Sequence, residues 1–205
     1  MAPLSTISLA VPAWAWELGD PGRPRPTAVA RMDLVLALVE RNIAEGGGPF
    51  AAAVFDADGH LVAPGVNRVV PDSAPIAHAE IVAIAAAGQR LGSWDLRSRG
   101  RFELVTSTEP CAMCLGAVPW SGVSALVIGA REGDARAVGF DEGHKPPHWE
   151  VALGQRGIEV VRDVERDRAA ELLHRYASTG GAIYNGAGGT GDGRAGPGRG
   201  EEGDR

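Results

Sequence analysis

Two short motifs hold the residues of this chain best suited to do chemistry: His78-Ala79-Glu80, and Pro110-Cys111-Ala112-Met113-Cys114. Cysteines at i and i+3 share one face of a helix, so both sulfurs can reach one metal ion. The start of a helix carries partial positive charge, which favours thiolate over thiol. His78 offers a third ligand of borderline softness. Three protein ligands leave a tetrahedral zinc ion one open position for water, the pattern of a catalytic rather than a structural site. The expectation is therefore one Zn2+ per chain, held by His78, Cys111 and Cys114. Glu80, two residues from the histidine, is placed to carry protons to and from that water rather than to ligate. Each motif alone has a plainer reading. A Cys-x-x-Cys pair after a strand also suits thiol redox chemistry. A histidine and a glutamate at a helix start also suit capping and the helix dipole. Their conjunction, at the mouths of two helices, is what favours the metal.

The elements that must bring these motifs together can be read from periodicity and turn chemistry. Thr27 is the expected N-cap, and Val29, Met32, Leu36, Val39 and Ile43 recur at helical spacing through Glu45, before three glycines at 46–48 stop the helix. Residues 49–55 read as a strand, Asp58-Gly59 as a hairpin turn and residues 61–66 as the returning strand. A helix over 77–90, a strand over 102–107 and a short helix beginning at Cys111 follow. Then come a strand over 125–128, a loop through Pro147, a helical turn or two over 149–155, a strand over 158–161 and a helix over 169–176. Strands alternating with helices imply a three-layer α/β/α sandwich around a five-stranded mixed sheet. That sheet is expected to be largely parallel, with the first hairpin the one pair that must be antiparallel.

Composition divides the chain into three regions. Residues 1–26 contain prolines at 3, 12, 21, 24 and 26, which predict an irregular N-terminal extension. Trp14, Trp16 and Leu18 are costly to leave in water, so that extension should pack on the domain. Residues 27–185 carry the motifs and the periodic elements. Residues 186–205 hold nine glycines and almost nothing apolar, which predicts a disordered tail. The net charge of −6 lacks the basic footprint that phosphate backbones require, so the expected partner is a small molecule and not a nucleic-acid polymer. No apolar run approaches the ~18 residues of a membrane span, and no basic stretch precedes the first apolar residues. The chain has only two cysteines, too close together to staple a secreted fold. No membrane partner and a cytoplasmic location are expected.

From about residue 27 to 184 the chain resembles the cytidine deaminase-like superfamily of zinc deaminases and, within it, the bacterial guanine deaminases. The zinc motifs carry the first likeness. The second rests on Gly47-Gly48-Pro49-Phe50, Asn67, the run from Glu109 to Ala117, Trp120 and Gly139-Phe140-Asp141-Glu142. The resemblance implies the cytidine deaminase-like fold and zinc-dependent hydrolysis of a free nucleobase, guanine to xanthine and ammonia. It also implies a homodimer with exchanged C-terminal segments. In its terms Phe50 and Trp120 wall the base, Asn67 bonds a ring edge, and Glu142 accepts from the amidine-like edge and assists in proton transfer. Tyr184 is the candidate for a C-terminal tyrosine that closes over the site. Elementary chemistry agrees on Glu142, because guanine presents N1–H beside its exocyclic amine and a carboxylate is an acceptor-only group. The residues alone leave plainer roles open: packing for Phe50 and Trp120, a turn for Asn67, a solvated loop charge for Glu142. The extension and the tail are additional to the short bacterial guanine deaminases. Rival substrates are cytosine, a pterin or a triazine, and a tRNA adenosine, which needs a basic surface that this chain's single lysine, Lys145, does little to supply. A non-catalytic zinc module is the rival outside enzymes, and Glu80 argues against it.

Overall fold

Alternation along the first strand sets the architecture. In the computed structural model, which describes residues 8–185, β1 (Ala51–Asp56) sends Ala51, Ala53 and Phe55 to one face and Ala52 and Val54 to the other. Both faces are covered, so this is a sheet buried between two layers of helices. β2 (Leu61–Val66) returns antiparallel to β1 with a register shift near Phe55. β3 (Phe102–Thr108) lies on the other side of β1, and β4 (Ala125–Ala130) and β5 (Glu159–Val161) complete the order β2-β1-β3-β4-β5. The expected five-stranded mixed sheet in a three-layer sandwich is present. It is less parallel than expected: β1 pairs antiparallel with β3 as well as with β2, and only β3-β4 and β4-β5 run parallel.

The helices follow the apolar stripes. α2 (Ala28–Ala44) starts where the Thr27 hydroxyl accepts from the Ala30 amide, and it buries Met32, Val35, Leu36 and Val39 against one face with α7 (Arg166–Ser178). α3 (Ala79–Leu91) and α4 (Ala112–Ser121) cover the other face, where Ala83, Ala87, Leu115 and Val118 pack on Val54, Leu104 and Ile128. α6 (Trp149–Gln155) adds Trp149 and Leu153 to that layer. No helix among the described residues is long and apolar enough to cross a membrane.

Two segments differ from the sequence-based expectation. Residues 8–26 are not wholly irregular: α1 (Ala13–Gly19) forms between Pro12 and Pro21, with Pro12 at its N-cap. A proline just ahead of the first turn sacrifices no helical hydrogen bond, so it brackets a helix instead of breaking one. Ala15 is fully buried, and Trp14 and Trp16 lie beneath the guanidiniums of Arg41 and Arg90. The expected loop to Pro147 also contains α5 (Glu132–Ala137), which begins where the Arg131 amide donates to the Asp134 carboxylate. The tail at 186–205 lies outside the described residues.

The fold places the site through one close approach. α3 presses on β2 at Gly65, where any Cβ would overlap the backbone of Ala79 and Ala83. Ala79 sits between His78 and Glu80, so this contact fixes the height of both above the sheet. Gly65→Ala forces backbone against backbone, and overpacking of this kind typically costs about 1–3 kcal/mol. The expected outcome is a lowered thermal midpoint together with weaker zinc retention, read by calorimetry and metal analysis. Unchanged values for both would mean that α3 can ride outward freely.

Candidate active site

The two motifs converge although 33 residues separate their first ligands, because each opens a helix and both helix starts face the same end of the sheet. His78 is the N-cap residue of α3 and Cys111 that of α4, yet neither side chain makes a capping hydrogen bond. Both are thereby left free to point forward. The ligand atoms of His78, Cys111 and Cys114 all lie within 4.8 Å of one another, and Cys111 Sγ is 3.5 Å from His78 Nδ1. The cysteines are free thiols. Two soft sulfurs and one imidazole at that separation, with an acid beside them, fit a tetrahedral zinc ion with one position open. A second group, Asp56, Asp58 and His60, lies at the hairpin turn, where the Asp56 carboxylate already accepts from the amides of Asp58 and His60.

The electrostatics of the cluster are those of charges crowded away from water. A hydrogen bond from Cys114 holds the Cys111 thiol down to about 4, and His78 adds to that effect. Cys114, which keeps the shared proton, is pushed up. Burial works against the charged form of His78, but its hydrogen bond with Cys111 and the nearby acids raise it on balance. Burial lifts Glu80 to about 7, with the Cys111 thiolate adding repulsion. Glu142 is lifted to about 8 by burial first and then by the charges of Cys111 and Glu80. Two carboxylates held near neutral beside a low thiol mark a functional centre.

A cavity of about 50 Å3 opens over this cluster, lined by Phe50, Asn67, Glu142 and Tyr184 together with His78, Glu80 and Cys111. Each expected wall residue is there except Trp120. That side chain is 82% exposed near the end of α4 and lines no part of the cavity. Six residues beyond Cys114 it has turned about 240° around the helix, away from the ligand face. Its place is taken by Phe140, whose ring lies 4.8 Å edge-on from Phe50 and 5.3 Å from Tyr184. Phe140 had a signal in its Gly-Phe-Asp-Glu segment, but a lone aromatic in a loop does not announce which way it faces. Thr108, Glu109, Asp141 and Asn185 also border the cavity without having been expected there.

Backbone ties set these walls. Asn42, fully buried on α2, donates to the carbonyls of Gly48 (2.8 Å) and Asn67 (3.0 Å) and so joins the loop before β1 to the end of β2. A Cβ at Gly48 would meet Tyr184 Oη and Asn67 Oδ1, so the bare glycine leaves both side chains their present places at the cavity. Tyr184 Oη is buried with no hydrogen-bond partner. Beside it, Asn185 accepts from the Asp141 amide and donates to the Gly139 carbonyl, both at 2.9 Å, fastening the C-terminal segment to the loop that carries Glu142.

Comparison with known proteins agrees with this geometry. Residues 27–130 match the family described as the cytidine and deoxycytidylate deaminase zinc-binding region. The guanine deaminase of Bacillus subtilis is 43% identical over 96 residues, which are 47% of this chain; the chain spans 59% of that relative's length. A crystal structure of guanine deaminase from Nitrosomonas europaea superposes with a TM-score of 0.82 at 45% identity, covering 87% of this chain and all of that one. A mutant crystallised in complex with 8-azaguanine gives the same TM-score at 46% identity, covering 85% of this chain and 98% of that one.

The buried acids make the metal-free protein sensitive to pH. Between about pH 5 and 7 the folded chain keeps protons on Glu80 and Glu142 that an unfolded chain releases near 4.5. Over the same range it has lost from Cys111 a proton that an unfolded chain holds up to 9.0. Two protons kept against one lost leave the folded state with the excess, and the raised His78 adds to it near the top of the window, so stability falls as pH rises. Zinc requires deprotonated ligands, so its stabilisation grows in the same direction. The thermal midpoint of chelated protein should therefore drop across this window while its gap to zinc-loaded protein widens. A chelated midpoint that climbs would show that these carboxylates ionise freely in the fold.

Proposed function

We propose that this chain, which belongs to the cytidine and deoxycytidylate deaminase zinc-binding family, hydrolyses free guanine to xanthine and ammonia. The observation that carries the reading is Glu142: a carboxylate only 5% exposed, facing the same cavity as Glu80 and the metal ligands. When bound, zinc supplies a Lewis acid and lowers the pKa of water to about 7. Glu80 accepts a proton as the water oxygen bonds to C2 of the purine, and it delivers that proton to ring N3. It then takes the remaining proton of the added hydroxyl and passes it to the 2-amino nitrogen as the C2–N bond breaks, so that ammonia leaves and Glu80 returns to its starting state. A carboxylate held at about 7 suits both directions of transfer.

Recognition is shared among the walls. Phe50, Phe140 and Tyr184 provide apolar surface for a flat ring, and Asn67 faces its polar edge. Glu142 accepts from N1–H and the exocyclic amine together. Cysteine charge helps to keep Glu142 protonated in the metal-free site, and neutralising that charge on metal binding favours the ionised acceptor. The activity is assigned to residues 27–185, and two cysteines that must stay reduced suit a cytoplasmic setting. A tRNA substrate is disfavoured by the single lysine, whose side chain is only 5% exposed within ion pairs. The protein is also assigned as a homodimer, with Trp94 and Trp120, 90% and 82% exposed, supplying apolar surface for a second copy.

Turnover of guanine, adenine and cytosine tests the substrate. Guanine should give the highest kcat/KM, because adenine sets an unprotonated N1 against the carboxylate, and a site left with unpaired groups rejects such analogues by as much as about 10⁴. Glu142→Gln should lower guanine turnover by about 10²–10⁴ with zinc content intact. Guanine inert while another base reacts would sink the substrate assignment. Equal turnover in the wild type and the variant would reduce Glu142 to a loop charge. Light scattering should give twice the 21.3 kDa chain mass for the wild type and a single chain mass for Trp94→Glu/Trp120→Glu. A wild type of single-chain mass excludes the dimer.

A further inference from the structure

Glu142 sits on a segment with little structure of its own. Residues 141–147 belong to no helix or strand. Among the described residues this stretch makes one backbone–backbone hydrogen bond, from the Ala112 amide to the Glu142 carbonyl at 2.9 Å. That bond pins the Glu142 backbone beside Cys111. Gly143 offers its carbonyl to Arg136 at 2.6 Å. Two residues further on, Lys145 folds back into the protein. Its ammonium donates to Glu109 at 2.6 Å and lies 3.0 Å from Glu132, and its side chain is only 5% exposed.

The partner is significant. Glu109 is 4% exposed, lies two residues before Cys111 and borders the same cavity as Glu142. Its other oxygen accepts from Arg162, which also pairs with Glu150 on α6. A carboxylate this buried is held by its cations, and the cations are held by it. We propose that Lys145 is a positioning residue for Glu142: its ion pair with Glu109 clamps the Glu142 loop onto the turn that presents the metal ligands. The clamp sets the distance between the group that reads the substrate edge and the centre that attacks it. Lysine suits the task because one compact ammonium can bridge Glu109 on the β3-α4 turn and Glu132 on α5 at once.

The proposal rests on the role given to Glu142, and a double-mutant cycle separates the two. Kinetics on guanine, affinity for 8-azaguanine and zinc content are to be measured for the wild type, Lys145→Met, Glu142→Gln and the double variant. Lys145→Met should lower kcat/KM about 10–100-fold, the scale of an ångström-sized misplacement, with about one zinc per chain retained. In the Glu142→Gln background the same change should cost almost nothing, since the group being positioned is already gone. Lys145→Arg should recover part of the loss. Should Lys145→Met not fold, the cycle of Lys145→Arg with Glu142→Gln reads the same coupling. A loss of equal size in both backgrounds, or one that tracks zinc release, overturns the proposal while leaving Glu142 in its role. A fully active Glu142→Gln enzyme overturns both.

Discussion

Everything at this site depends on two helix starts being held against the same end of one sheet. The contact of α3 with β2 at Gly65 sets one of them, and the short turn from β3 through Glu109 and Pro110 sets the other. His78 and Cys111 occupy equivalent cap positions, with side chains released from capping, so the ligand set is a product of backbone placement. β3 lies where the sheet changes from antiparallel to parallel pairing. Chain departing from the ends of its strands there diverges and leaves a crevice, the usual place for a ligand in an open α/β sheet.

The crevice is electrically awkward without a cation. Cys111, Glu80 and Glu142 all carry potential negative charge, and burial makes each pay more to express it. A divalent ion changes the balance for all of them at once, so occupancy of the metal site also bears on the protonation of Glu142 across the cavity. The apolar ring of Phe50, Phe140 and Tyr184 belongs to the same logic, because aromatic walls that exclude water strengthen every remaining polar contact.

The parts of this arrangement that were legible in the sequence are those encoded locally. Two motifs gave the ligands, periodicity gave the sheet and its covering layers, and Thr27 marked the start of α2. What was not legible depends on direction. Pro12 and Pro21 read as breakers, yet a proline acts differently at the edge of a helix and within it, and only the structure shows which applies. Trp120 shares a helix with Cys114 but not its face, whereas Phe140 reaches the cavity from a loop without periodicity. Asn42 lies in the last turn of α2, where nothing local reveals that its amide would tie together two loops that wall the cavity. The antiparallel β1-β3 pair is likewise a long-range choice that alternation of elements does not dictate.

The burial of Lys145 has a consequence beyond the site. It is the single lysine among 20 basic residues, and the others are arginines that stay protonated across the whole working range. In most proteins exposed ε-amines dominate proton exchange near pH 10. Here that contribution is missing from the surface, so acylating reagents find no ready side-chain amine.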